Sequence, residues 1–220
     1  MLGTINPEIL FLQQEDQIKA GLLDMKMILK ITEDTYKMLG QGDTEGVFQL
    51  ESSGMKQVLV GLQPQNLEDV IALISLYRPG PMDSIPIYLR NRHEPDKISY
   101  KTPQLAHILD VTNGCIVYQE QVMQIFRELA GFSFGQADNV RRAMSKKKHA
   151  VMEAEREHFV HGCTEPGHEC PGCVANGIPE QVANQIYDEM SSFASYAFNK
   201  SHAACYAYVA VSYTHLTLPT

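Results

Sequence analysis

Three apolar stripes at helical spacing, each bounded by a proline or glycine, constrain this chain more than any other feature. Leu67, Val70, Ile71 and Ile74 stand at i, i+3, i+4 and i+7. Val122, Ile125, Phe126 and Leu129 repeat the spacing, and so do Ala183, Ile186, Tyr187 and Met190. That pattern places four side chains on one helix face, where they must be buried against something. Arg78-Pro79-Gly80-Pro81 stops the first helix, and Gly131 stops the second. Pro179 opens the third at a position where its missing N–H costs nothing.

Shorter signals fill the gaps. Thr32 opens a helical pattern that Gly40 closes, and Ser52 or Ser53 can cap a helix carrying Met55, Val58, Leu59 and Leu62. Asn66 is a good N-cap with Asp69 three residues on, a variant of the capping box. Residues 85–92 read as a further short helix. Val47-Phe48-Gln49-Leu50 alternates apolar and polar, which predicts a short strand. Residues 93–102 and the Gly/Pro-rich 161–177 read as loops, with Asn113-Gly114 as a turn. The expectation is a mainly α fold with a few short strands. One helical domain covers residues 31–211, residues 1–30 carry no motif, and residues 212–220 form a non-helical tail.

At 220 residues with 44% hydrophobic and 20% charged residues, the chain can bury a sizeable core. No apolar run approaches about 18 residues, and the N-terminus lacks a cationic leader region. A soluble cytoplasmic protein without a membrane partner is expected. The five cysteines are an odd number, which argues against a disulfide scaffold.

Charge is distributed unevenly. The chain carries a formal net charge of -8, yet Arg141, Arg142, Lys146, Lys147 and Lys148 fall within eight positions that hold no acid. Two readings are open: a solvated helix face, or a docking place for a polyanion. Residues 138–160 read as one continuing helix with Asp138 in its first turn, and Arg141 and Lys148 share a face of it. Arginine binds phosphate oxygens in a planar, bidentate way and lysine adds a point charge. A second polar group, Asn199-Lys200-Ser201-His202, interrupts an apolar run. There, helix N-terminal N–H groups can attract an anion. Arg78 reads either as a cation favoured by a helix C-terminus or as an anion contact.

Cys170-Pro-Gly-Cys173, with Cys163 and His168 or His161 nearby, offers candidate zinc ligands. Only one C-x-x-C knuckle is present, so free thiols are the competing reading. Gln121 to Phe126 bears a loose likeness to clamp-binding peptides but coincides with the core stripe. No G-x-x-x-x-G-K-[ST], G-x-G-x-x-G or D-x-D occurs. The chain offers a place for an anion without an evident two-metal centre.

Five stretches in order, GDTEGVFQLESSGM, ISLYRPGPM, IVYQEQVMQI, ADNVRRAMSKKK and FASYAFNKSHAACYA, resemble consecutive motifs of the C-family bacterial replicative polymerases, the DNA polymerase III alpha subunits. The likeness covers roughly residues 31–211 and is to the fingers region. It implies template-directed addition of deoxynucleotides, with Mg²⁺ held by palm aspartates that are not in this chain. It implies that Arg141, Arg142, Lys146, Lys147 and Lys148 bind the triphosphate of an incoming dNTP. Arg78, Asn199, Lys200, Ser201 and His202 are the candidates from the other polar motifs. Template-primer DNA and the other replicase subunits, the sliding clamp among them, are the implied partners. Residues 1–30 and the tail depart from the pattern, so the chain reads as a partial gene product, inactive alone. The alternatives are a non-catalytic helical nucleic-acid-binding module and a small zinc-stabilised interaction domain.

Overall fold

The computed structural model describes residues 25–146, 149–194 and 198–217. They divide into two units, one formed by residues 25–70 and 204–217, the other by the described part of residues 71–203.

In the first unit lie helices α1 (Met25–Gly40) and α2 (Ser53–Leu62) and the start of α3 (Leu67–Leu76), whose residues 71–76 belong to the second. Ser52 caps α2 by accepting the Met55 N–H at 3.2 Å. The C-terminal residue Gln63 turns left-handed (φ 51°) and its side-chain amide donates to the Gly40 carbonyl at 2.7 Å. Asn66 caps α3 by accepting the Asp69 N–H at 2.9 Å. Asp69 reaches back one residue further than a capping box does, to the Gln65 N–H at 3.0 Å.

The strand expected at 47–50 is a succession of turns instead. Val47 and Leu50 donate to the carbonyls of Thr44 and Val47, and the Thr44 hydroxyl closes the loop onto Leu50 O at 2.6 Å. Apolar alternation needs a partner strand to become a strand. Among the described residues there is none, only single bridges joining Tyr118 to Phe198 and Cys163 to Cys170. The fold is therefore mainly α, without the expected strands.

In the second unit, α4 (Ile85–His93) and α5 (Ala106–Leu109) precede α6 (Gln119–Ala130), the centre of the core. Val122, Ile125, Phe126 and Leu129 are all fully buried, as the stripe requires. Around Phe126 pack Phe132, Phe159 and Tyr187, with ring centroids 5.2, 5.0 and 6.0 Å away. Gly131 ends α6 in a left-handed conformation (φ 75°). A Cβ there would lie 2.5 Å from the Pro171 ring, so glycine is required twice over.

Helix α7 (Phe134–Ser145) follows, opened by a reciprocal cap. Ser133 Oγ accepts the Gln136 N–H, and Gln136 Oε1 accepts the Ser133 N–H. The single helix expected to run to Val160 is two: α7 ends at Ser145, Lys146 lies in a turn, and α8 spans His149–His161. Residues 147–148 lie outside the described residues. Asp138 is accordingly in the second turn of its helix, not the first.

The expected loop at 161–177 contains a short helix, α9 (Gly172–Ala175), and a reciprocal pair of hydrogen bonds between Cys163 and Cys170, both 2.9 Å. Helix α10 (Glu180–Ala194) brings Ala183, Ile186, Tyr187 and Met190 onto the core. The Tyr187 hydroxyl donates to Met152 O at 2.6 Å. Helix α11 (Lys200–Thr217), whose residues from 204 on belong to the first unit, takes in most of the tail expected to be non-helical. Extending an existing helix costs far less than starting one, and no proline intervenes before residue 219.

Candidate anion site on the second unit

Every residue of the site lies within residues 71–203. The N-terminal end of α6 is built on a buried amide. Gln121 is 4% exposed, and its Oε1 accepts the N–H groups of Val117 and Tyr118 at 2.9 and 3.0 Å. Its Nε2 donates to Ile108 O and Thr112 Oγ1 at 3.1 and 2.7 Å. All four hydrogen-bonding positions of one side chain are filled, which fixes the extended run before the helix. Tyr118 then pairs with Phe198: Gln119 N–H donates to Phe198 O at 2.9 Å, and Phe198 N–H donates to Val117 O at 3.3 Å.

On α7, Val140 and Ala143 are buried and turn Asp138, Arg141 and Arg142 outward. Both arginines converge on one carboxylate. Arg141 donates from Nε and Nη2 to Asp138 Oδ1 at 3.0 and 2.8 Å, while Arg142 Nε meets Oδ2 at 2.7 Å. Hydrogen bonding from Arg141, then the charges of both arginines, hold the Asp138 carboxyl below the usual carboxylate range. Arg141 Nη1 also donates to Gln119 Oε1 at 2.9 Å. The Arg141 side chain is 19% exposed and that of Arg142 is 64% exposed.

The third polar stretch joins through Phe198. The Arg78 guanidinium stacks over its ring at 4.1 Å, and the His202 ring lies 5.3 Å away. Arg78 also donates to Ser75 O at 3.2 Å, which matches its reading as a cation at a helix C-terminus, while the stacking on Phe198 brings it to the polar cluster. Burial pulls the Arg78 guanidinium pKa down from its ordinary value. Asn199 caps α11 by accepting the His202 N–H at 3.0 Å. Both carboxylate oxygens of Glu120 accept the Lys200 N–H at 3.3 Å, and Lys200 Nζ lies 5.3 Å from the centre of the Tyr118 ring.

Of the predicted residues, Arg78, Arg141, Arg142, Asn199, Lys200 and His202 thus belong to one connected cluster. Lys146 and Ser201 are exposed beside it in the chain. Lys147 and Lys148 lie outside the described residues. One expectation is corrected. The α11 N–H groups of Lys200 and His202 are already taken by Glu120 and Asn199, so that end does not offer both to an anion. Sequence reasoning missed Gln119, Glu120 and the role of Asp138 as common partner of the arginines. The run of polar residues at the start of α6 was the available signal.

Of the zinc candidates, Cys163 and Cys170 are paired through their backbones. Among the described residues, no three His, Cys, Asp or Glu side chains are grouped as a metal requires, so Cys163, Cys170, Cys173 and His168 form no such set. Cys173 is fully buried, and burial pushes its thiol up to about 12. Burial likewise raises Cys170, and Cys115 to about 11. Cys205 is exposed and Cys163 is half-buried. Iodoacetamide at neutral pH is therefore expected to label Cys205 and Cys163 in the native chain. Cys173 should react far more slowly, on the order of 10³-fold, because burial withholds its thiolate. Peptide mass mapping with time reads this, and equal labelling of Cys173 and Cys205 would contradict the buried placement.

No helix of the described residues is long and apolar enough to cross a membrane. Residues 2–167 match the family model for the bacterial DNA polymerase III alpha subunit finger domain. That match includes the stretch before residue 31, which the five motifs do not reach. The chain is 45% identical over 197 residues to the DNA polymerase III subunit alpha of Staphylococcus aureus, covering 88% of this chain and 18% of that protein. It is 44% identical over 203 residues to that of Staphylococcus epidermidis, covering 91% of this chain and again 18% of the relative. With most of its length matched both to the family and to these relatives, the chain belongs to the bacterial DNA polymerase III alpha subunit finger-domain family.

Proposed function

We propose that this chain is the fingers segment of a replicative DNA-directed DNA polymerase, a nucleotidyltransferase, and that its polar cluster receives the triphosphate of an incoming dNTP. One observation carries the reading: Arg78, the Arg141–Arg142 pair and Lys200, from three separate stretches of the sequence, belong to one network of contacts through Asp138, Gln119, Glu120 and Phe198. Three arginines and a lysine suit a ligand with several negative oxygens. The cluster binds and orients the triphosphate for in-line displacement, and its donors face charge that grows on the phosphate oxygens.

Mg²⁺ is the metal that phosphoryl transfer to a primer end calls for. This chain's described residues do not fit it. No three acidic, His or Cys side chains are grouped, and the Asp138 carboxylate is engaged by two arginines. The metal and the chemistry attributed to it belong to the palm of the parent protein. This chain alone is then inactive. Template-primer DNA is the second ligand, the other replicase subunits, including the sliding clamp, are partners through the parent, and the location is cytoplasmic.

The test is the Arg141→Ala/Arg142→Ala pair in a full-length polymerase carrying this segment, followed by dNTP-titrated incorporation at saturating primer-template. A loss of nucleotide use with primer-template affinity retained is expected. Wild-type incorporation would remove the reading. A loss of DNA affinity alone, steep in salt and indifferent to dNTP, would instead support a nucleic-acid-binding module.

A further inference from the structure

Gln119 belongs to none of the basic stretches, yet it touches two of the three polar groups. Its side-chain Oε1 accepts from Arg141 Nη1 at 2.9 Å, and its backbone N–H donates to Phe198 O at 2.9 Å. Asp138 grips Arg141 from Nε and Nη2. The guanidinium is therefore held at three of its nitrogens by two side chains, one on α6 and one on its own helix. The neighbouring Glu120 ties the Lys200 N–H to the same end of α6.

The two holders differ in kind. A carboxylate fixes an arginine and also neutralises it, whereas an amide oxygen fixes it and leaves the charge for a ligand. Asp138 is shared with Arg142, so its charge is spread over two cations. Gln119 holds Arg141 from outside its helix, and its position is in turn fixed by the pairing of residues 117–119 with Phe198. An arginine already held in place loses less rotamer freedom when it captures an anion than one that swings freely.

We propose that Gln119 is a positioning residue for the triphosphate site. It pre-orients Arg141 and sets the basic helix in register with the Phe198–Lys200 segment, without contacting the nucleotide itself. This rests on the triphosphate reading above. A residue that acts only through Arg141 has a defined signature: its loss matters when Arg141 is present and not when Arg141 is absent.

The experiment uses a full-length polymerase carrying this segment, with Gln119→Met, Arg141→Ala and the double substitution. Methionine keeps the length of the side chain and removes the acceptor. KM for dNTP is expected to rise about tenfold in Gln119→Met, the loss of one charge-assisted hydrogen bond, with kcat changed less. In the Arg141→Ala background the same change should shift KM by less than about twofold. An equal shift in both backgrounds, or none in either, overturns the proposal. Impaired Arg141→Ala beside an unaffected Gln119→Met defeats the positioning role alone. A wild-type Arg141→Ala defeats the triphosphate reading and the positioning role with it.

Discussion

Replacing Gln121 by Leu lowers the stability of the second unit by about 3–5 kcal/mol, a larger effect than most core truncations of this size. Leucine fills nearly the same space, so the cost is not a cavity. It is the loss of four hydrogen bonds inside a site that is 4% exposed. Two backbone N–H groups, of Val117 and Tyr118, and the carbonyl of Ile108 lose their partner, and the Thr112 hydroxyl loses one of its own. Each buried group left unsatisfied costs about 1–3 kcal/mol, and relaxation or water recovers part of the sum. Thr112 retains its bond to Cys115 O at 2.6 Å, which limits its share. Denaturant unfolding of the wild type and Gln121→Leu measures the difference, and a change under about 1 kcal/mol would show that the amide is not a structural anchor. The effect reaches the anion site, because Gln121 holds the residues that pair with Phe198.

Replacing Arg141 and Arg142 together by Ala in a full-length polymerase lowers kcat/KM for dNTP by about 10²–10³-fold. A hydrogen bond to a charged group contributes about 1.5–3 kcal/mol, and each 1.36 kcal/mol is tenfold in rate. Arg141 is the better-held of the two and contributes the larger part. Asp138 adds to the loss. In the wild type its carboxylate is shared between two cations at 2.7–3.0 Å. Without them it stands as an uncompensated negative charge where the triphosphate must sit. Adding Asp138→Asn to the double substitution is therefore expected to restore several-fold of the activity, as a like charge near a few ångströms in partly screened surroundings implies. Steady-state incorporation against dNTP concentration reads both steps. If Asp138→Asn worsens the double variant, the carboxylate has a role other than partner to the arginines.

The helices that carry strict apolar stripes were legible in the sequence. Leu67 to Ile74, Val122 to Leu129 and Ala183 to Met190 became α3, α6 and α10, because a four-residue stripe admits few alternatives. What failed were segments whose local pattern is overruled by what they pack against. Residues 47–50 alternate like a strand but have no strand to pair with among the described residues, so turns satisfy their backbone. Residues 212–217 lack a helical period and still extend α11.

For the site, the residue types were legible and the partners were not. Charge contrast picked out Arg141 and Arg142. Nothing in their spacing disclosed that Asp138 would take both, or that Gln119, 22 residues earlier, would hold Arg141 from another helix. The partners of the Asn199 to His202 helix end were hidden for the same reason. Its own cap and Glu120, far upstream, fill the N–H groups of His202 and Lys200.

The claim that the cluster recognises the triphosphate, not the base, sugar or DNA, is tested most directly with inorganic tripolyphosphate as a competitor of dNTP. In the wild-type polymerase tripolyphosphate should inhibit competitively. In Arg141→Ala/Arg142→Ala its inhibition constant should rise by about 10²-fold, in parallel with the loss in kcat/KM. An inhibition constant unchanged by the double substitution would place the triphosphate elsewhere and contradict the account.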